Sequence, residues 1–191
     1  MKRGTLFVVS GPSGVGKGTI INKVLADNPN ISFSISATTR KQRPGEENGV
    51  QYYFITKEDF LKKIENDEFL EWSEHFDNYY GTLKKVVYEK LDSGKDIILD
   101  IEVNGANTLL NKKTEAKYIF IKPPSSDVLR ERLLNRNTES DEKIKKRLER
   151  AEWEMSFADR YDYVIVNDIL EKAVQDLESI VKTVHLKKVQ K

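Results

Sequence analysis

One short stretch constrains the fold more than any other: Gly11-Pro12-Ser13-Gly14-Val15-Gly16-Lys17-Gly18-Thr19. An apolar run, residues 6–9, leads straight into it, and a helix-period segment follows it without a gap. Glycines in such a loop let backbone N–H groups turn inward around an anion, and the next helix adds its positive dipole end. Lys17 stands where a lysine reaches the β and γ phosphates of a nucleotide. Strand, loop and helix in this register define a phosphate-binding loop, and that motif belongs to α/β folds. One position departs from the common pattern. Residue 18 is glycine where serine or threonine usually touches Mg²⁺, and Thr19, one position on, leaves the helix start in another direction. A metal here is therefore expected to be held by phosphates, water and a carboxylate.

The rest of the chain fits the same class. Residues 5–9, 96–101, 117–121 and 162–166 are runs rich in Val, Ile and Leu without alternation, as strands covered on both faces are. A shorter run, 32–36, pairs nearby. Helices are expected over 17–26, 82–91, 125–136, 142–156 and 170–184. Strands alternating with helices predict an α/β domain with a mostly parallel sheet. Residues 38–82 read differently: a turn-rich basic segment, the alternating Tyr52-Tyr53-Phe54-Ile55, a short helix capped by Thr56 with Asp59 three residues on, then an aromatic stretch. This is expected to be a small strand-rich lobe inserted into the core. Residues 135–146 are too charged for a core and are expected to form a mobile flap.

Composition excludes several functions. With 191 residues the chain suits one domain with lobes. No window approaches the roughly 20 apolar residues of a membrane span, and the short apolar run near the start is too short for a signal-peptide core, so the expected location is the cytoplasm. There is no cysteine, hence no disulfide and no thiolate metal site. The 32 Lys and Arg nearly cancel the 31 Asp and Glu, which gives no support to a nucleic-acid binder. His75 and His185 form no zinc pair.

A phosphate loop names a nucleotide and not its use. A kinase acting on a small acceptor must also hold a second anion opposite ATP. Arg40 and Arg43 stand three apart in the turn-rich segment, where forked guanidinium groups could bind phosphate oxygens and Tyr52 and Tyr80 could add donors; a solvated basic loop is the alternative. Glu71, beside Trp72, could accept from guanine N1–H and its exocyclic amine, a donor pair adenine lacks; a surface glutamate is the alternative. Asp100 ends an apolar strand, and a carboxylate there faces the ligand crevice near Mg²⁺ or its waters. Arg132 and Arg136 lie four apart on one helical face, and Arg147 follows the flap. They could stabilise charge on a transferring phosphoryl group, or simply pair with nearby glutamates.

Taken together, the set resembles the guanylate kinase family. The matching pieces are SGPSGVGKGT, SISATTRKQRPGE, NGVQYYF, EFLEW with NYYGT, ILDIEVNGA, RLLNR with RL, and VIVND, in one order along nearly the whole chain. The resemblance implies a core (1–36, 83–125 and 148–191), a GMP-binding lobe (37–82) and a helical lid (126–147). It implies transfer from ATP to GMP with Mg²⁺, and leaves dGMP and the oligomeric state open. Carried over by position, Gly11 to Thr19 hold the ATP phosphates and Asn167 borders the adenine. Ser36, Glu71 and Thr82 read guanine, while Arg40, Arg43, Tyr52 and Tyr80 hold the GMP phosphate. Asp100 lies between GMP and the metal, reaching the metal directly or through water. Lys17, Arg40, Arg132, Arg136 and Arg147 carry the catalytic charge stabilisation. No nucleic acid or membrane partner is expected.

Two rivals compete with this reading. A kinase for another nucleoside monophosphate is opposed by Glu71 with Ser36 and the paired arginines. An inactive guanylate kinase-like domain that binds peptides is opposed by the intact phosphate loop.

Overall fold

In the computed structural model, residues 2–75, 77–134 and 141–189 are described. The core is a five-stranded sheet in the order β2-β7-β1-β8-β9, formed by β1 (Leu6–Ser10), β2 (Ile31–Phe33), β7 (Asp96–Asp100), β8 (Lys117–Lys122) and β9 (Tyr163–Val166), with every pairing parallel. Burial on both faces explains the continuous apolar runs. Along β1, Phe7 and Val9 face one layer while Leu6 and Val8 face the other. The first layer is closed by α1 (Lys17–Asp27) and α7 (Leu170–Val189), through Ile20, Ile21, Val24, Leu177 and Val181. The second is closed by α3 (Lys84–Asp92) and α4 (Val103–Asn111), through Val87, Leu91, Ala106 and Leu109.

The inserted segment forms a separate four-stranded sheet, β4-β3-β6-β5, from β3 (Ala37–Thr38), β4 (Tyr53–Phe54), β5 (Phe69–His75) and β6 (Asn78–Leu83). Helix α2 (Lys57–Glu65) packs on it, and the Phe60 and Phe69 rings stack at 4.3 Å. Thr56 caps α2 as expected, its hydroxyl accepting from the Asp59 amide at 3.1 Å. Helices α5 (Ser126–Leu134) and α6 (Asp141–Met155) share their own small core of Leu129, Leu133, Ile144 and Ala151.

Several expected boundaries move. Thr82 and Leu83 belong to β6, so the helix expected from residue 82 begins at Lys84; cross-strand pairing of Thr82 with Glu71 outweighs the helical period there. The run 32–36 divides, since β2 ends at Phe33 and the next strand starts at Ala37 in the other sheet. Residues 141–146 of the expected flap are helical and open α6. Arg136 and the rest of 135–140 lie outside the described residues. Helix α4 has no counterpart among the sequence expectations: its nine residues contain Gly105 and three asparagines, which mask the buried Val103, Ala106 and Leu109.

Candidate active site

The parallel register builds the site. Val9 pairs with Asp100, so the carboxyl ends of β1 and β7 open side by side onto one crevice. From β1 the chain enters the loop. Gly14 (φ +88°) and Gly16 (φ +91°) adopt left-handed conformations, and Gly16 directly precedes α1. Lys17 Nζ lies 2.7 Å from Asp100 Oδ1.

The outer side of the loop is gripped by its neighbours. A Cβ built on Gly14 would stand 2.8 Å from Leu133 Cδ2 of α5, and one on Gly16 would stand 2.6 Å from Asn167 Nδ2. Asn167 is buried, and its amide donates to the Val15 carbonyl at 2.7 Å. Arg132 donates to the Asn167 carbonyl at 2.9 Å and to the Val15 carbonyl at 3.4 Å. Both residues thus touch the phosphate loop directly. Arg147, on α6, is half-buried. Gly18 is exposed, and a Cβ there would meet open space.

Across the crevice stands the small lobe. Arg40 forks onto Glu46, donating Nη1 to Oε2 at 3.0 Å and Nη2 to Oε1 at 2.8 Å. This pairing raises the guanidinium pKa further and lowers that of Glu46. Glu46 Oε2 also accepts from the Arg43 amide at 2.8 Å, while Arg43 itself is exposed at the rim. The Arg40 guanidinium lies 5.3 Å from the Tyr52 ring centre and 5.6 Å from that of Phe54, and the Tyr52 and Tyr80 rings meet edge-on at 6.0 Å. Burial raises the Tyr52 pKa, and the charges of Arg40 and Asp100 both act on it.

Deeper in the lobe, Glu71 is buried to 4% exposure. Its Oε1 accepts from the Thr82 hydroxyl at 2.6 Å. Burial pushes its pKa up to about 7, against the opposing pull of the Thr82 hydrogen bonds; the nearby Glu102 charge adds to the rise. Its Oε2 lies so close to Gly105 that any Cβ there would collide with it. Ser36 precedes β3, half-buried, its carbonyl accepting from the Tyr53 amide at 2.9 Å.

The structure thus brings Lys17 and Asp100 together on one side and Arg40, Tyr52 and Tyr80 together on the other, with Glu71 and Thr82 in contact behind them. Two residues escaped the sequence reading. Glu46 holds Arg40, and the three-residue spacing of Arg40, Arg43 and Glu46 was the available signal. Gly105 makes room for Glu71, and no local pattern could reveal that, since the contact joins α4 to β5. Trp72 and Trp153 remain partly exposed; His185 sits 3.1 Å from Asp96, at the opposite end of β7 from Asp100.

A phosphate loop after the central strand of a parallel sheet, facing a basic and phenolic lobe across a crevice, defines a phosphoryl-transfer enzyme of the P-loop kinase class. The guanylate kinase family model matches residues 3–184. A guanylate kinase of Carboxydothermus hydrogenoformans is 51% identical over 187 residues, covering 98% of this chain and 92% of that protein. One of Thermotoga maritima is 48% identical, covering 95% and 87%. The crystal structure of guanylate kinase from Anaplasma phagocytophilum superposes with a TM-score of 0.76 at 36% identity, covering 95% of this chain and 86% of that one. The chain belongs to the guanylate kinase family.

Proposed function

We propose that the crevice catalyses ATP-dependent phosphorylation of GMP by direct in-line transfer, with the residue roles that follow. A phosphate oxygen of GMP attacks the γ-phosphorus, the bond from that phosphorus to the bridging β-oxygen breaks, and GDP and ADP result. No covalent intermediate on the protein is needed.

The loop from Gly11 to Thr19 cradles the ATP phosphates, and Lys17 exchanges its Asp100 partner for their oxygens. Arg40, Arg43, Tyr52 and Tyr80 hold the acceptor phosphate. Arg40 is already oriented by Glu46, so little side-chain freedom is lost when phosphate arrives. Ser36, Glu71 and Thr82 read the base. Glu71 carries this assignment: a buried carboxylate anchored at one oxygen suits the adjacent N1–H and amine donors of guanine, and adenine would leave it unpaired. Arg132 shapes the phosphate loop and, with Arg147 and Arg136, belongs to the lid that excludes water.

The residues fit a nucleotide-borne Mg²⁺ better than a protein-caged one. Among the described residues no group of three or more His, Cys, Asp or Glu could hold a metal, and residue 18 offers no side chain. Asp100, directly or through water, is the carboxylate at hand. Bound there, Mg²⁺ supplies charge neutralisation on the β and γ phosphates. No described helix is long and apolar enough to cross a membrane, and the substrates belong to purine nucleotide metabolism, which we assign to the cytoplasm.

The test is an ADP-release assay with ATP and Mg²⁺, offering GMP, dGMP, AMP, CMP and UMP in parallel. Strong preference for the guanine nucleotides is expected. Turnover with AMP instead would overturn the assignment of the lobe.

A further inference from the structure

Glu71 leans on the first turn of α4: its Oε2 lies against Gly105, the third residue of that helix. The two ends of α4 are held differently. At the far end Lys112, which closes the helix, donates Nζ at 3.4 Å to the carbonyl of Leu70, the residue before Glu71 on β5. At the near end stands Glu102, in the capping position. Serine, threonine, asparagine or aspartate is usual there, because a short side chain can accept from the helix's own free N–H groups. Glu102 makes no such bond. Instead its Oε2 accepts from Arg150 Nη2 at 2.8 Å, across to α6 and 48 positions along the chain.

Arg150 uses its other edge within α6, donating Nε to Glu154 Oε1 at 3.0 Å. The competing reading is an i,i+4 pair that serves only α6, with Glu102 a chance surface contact. An exposed ion pair is worth little when two long side chains must both be ordered to make it. Here one of them is ordered already. The Glu154 side chain is 5% exposed, and a buried carboxylate does not readily give up its cation. With Nε fixed there, the planar guanidinium presents Nη2 in a set direction, and Glu102 is what it meets. The charge of Glu102 also acts on Glu71, adding to the rise in pKa that burial sets.

We propose that Arg150 is a positioning residue for the base-reading site, acting through Glu102 on the turn of α4 against which Glu71 rests. Cutting the Arg150–Glu102 bond frees that turn to shift, and Glu71 shifts with it. A carboxylate that must meet two adjacent donors of guanine tolerates little displacement. The contacts run from α6 to α4 to β5 and do not pass through the phosphate loop, so binding of ADP is spared.

The inference rests on the reading of Glu71 as the residue that meets guanine. Calorimetric titration of the full chain with GMP, and separately with ADP and Mg²⁺, tests it in Arg150→Met, Glu102→Gln, their double variant and Glu154→Gln, with circular dichroism as the check on folding. In Arg150→Met and in Glu102→Gln the GMP dissociation constant should rise about fivefold, and the double variant should bind no more weakly than either, since both cut one bond. The constant for ADP should move less than about twofold in each, and Glu154→Gln, which keeps the bond to Glu102, should leave both constants within about twofold. Arg150→Lys carries the test if Arg150→Met fails to fold: one ammonium can answer the buried Glu154 but cannot fork to both carboxylates, so GMP binding should still weaken. Unchanged GMP affinity in the folded Arg150 variants, equal weakening for GMP and ADP, effects that multiply in the double variant, or a loss in Glu154→Gln as large as in Arg150→Met would overturn the proposal. Glu71→Gln in the same titration separates the two levels. If it loses GMP affinity while the Arg150 variants keep it, only the inference fails; if neither loses it, the reading of Glu71 fails as well.

Discussion

Lys17 Nζ lies 2.7 Å from Asp100 Oδ1, joining the first residue of α1 to the last of β7. Neither side chain is fully buried, so the pair is weak enough for nucleotide phosphates to break. On the proposed reading, the cation is thereby held beside the phosphates it serves. Lys17→Ala should lower kcat by about 10²-fold or more, with the circular dichroism spectrum unchanged. Wild-type turnover in that variant would remove the phosphate-loop argument.

As the proposed reader of the base, Glu71 should make GMP use sensitive to pH. Its folded-state pKa is raised from 4.5 to about 7 by burial, so the folded protein favours the protonated form. The contribution of this group to stability is fully present below its unfolded value and is lost as pH rises through about 7. Binding has the opposite sense, because guanine donors need the carboxylate. The KM for GMP should therefore fall as pH rises through the same window, and Glu71→Gln should flatten that profile while raising KM. A wild-type profile identical to that of Glu71→Gln, measured by steady-state kinetics at saturating ATP, would show that Glu71 does not read the base.

Gly105 tests the same contact from the other side. A methyl group there collides with Glu71 Oε2. Gly105→Ala should displace the carboxylate and raise the KM for GMP by about tenfold, with the KM for ATP little changed. An equal rise for both substrates would point to a general packing defect of α4.

Arg40 and Glu46 form a bidentate pair. Arg40→Ala should raise the KM for GMP or lower kcat. Arg40→Lys should fail to restore it, because a lysine cannot reproduce the fork. Full activity in Arg40→Lys would reduce the role of Arg40 to charge alone.

The strand, loop and helix at residues 6–27 are legible from the order of residues alone, because a phosphate loop is local: glycines, lysine and helix start are neighbours along the chain. The same order shows the buried strands through their unbroken apolar runs, and the helix cap at Thr56 through side-chain chemistry within one turn. It also pointed to Arg40, Glu71 and Asp100 as single candidates, the first two with a bland alternative. Where those side chains lie, and which partners they meet, depended on the packed structure. Glu71 is no surface residue, because β6 brings Thr82 to it and α4 brings Gly105. Asp100 meets Lys17 only because β1 and β7, whose paired residues Val9 and Asp100 stand 91 positions apart in the chain, are neighbours in the sheet. Arg132 touches the loop 117 positions away. Such contacts depend on sheet order and helix packing, which bring together residues that no local periodicity connects.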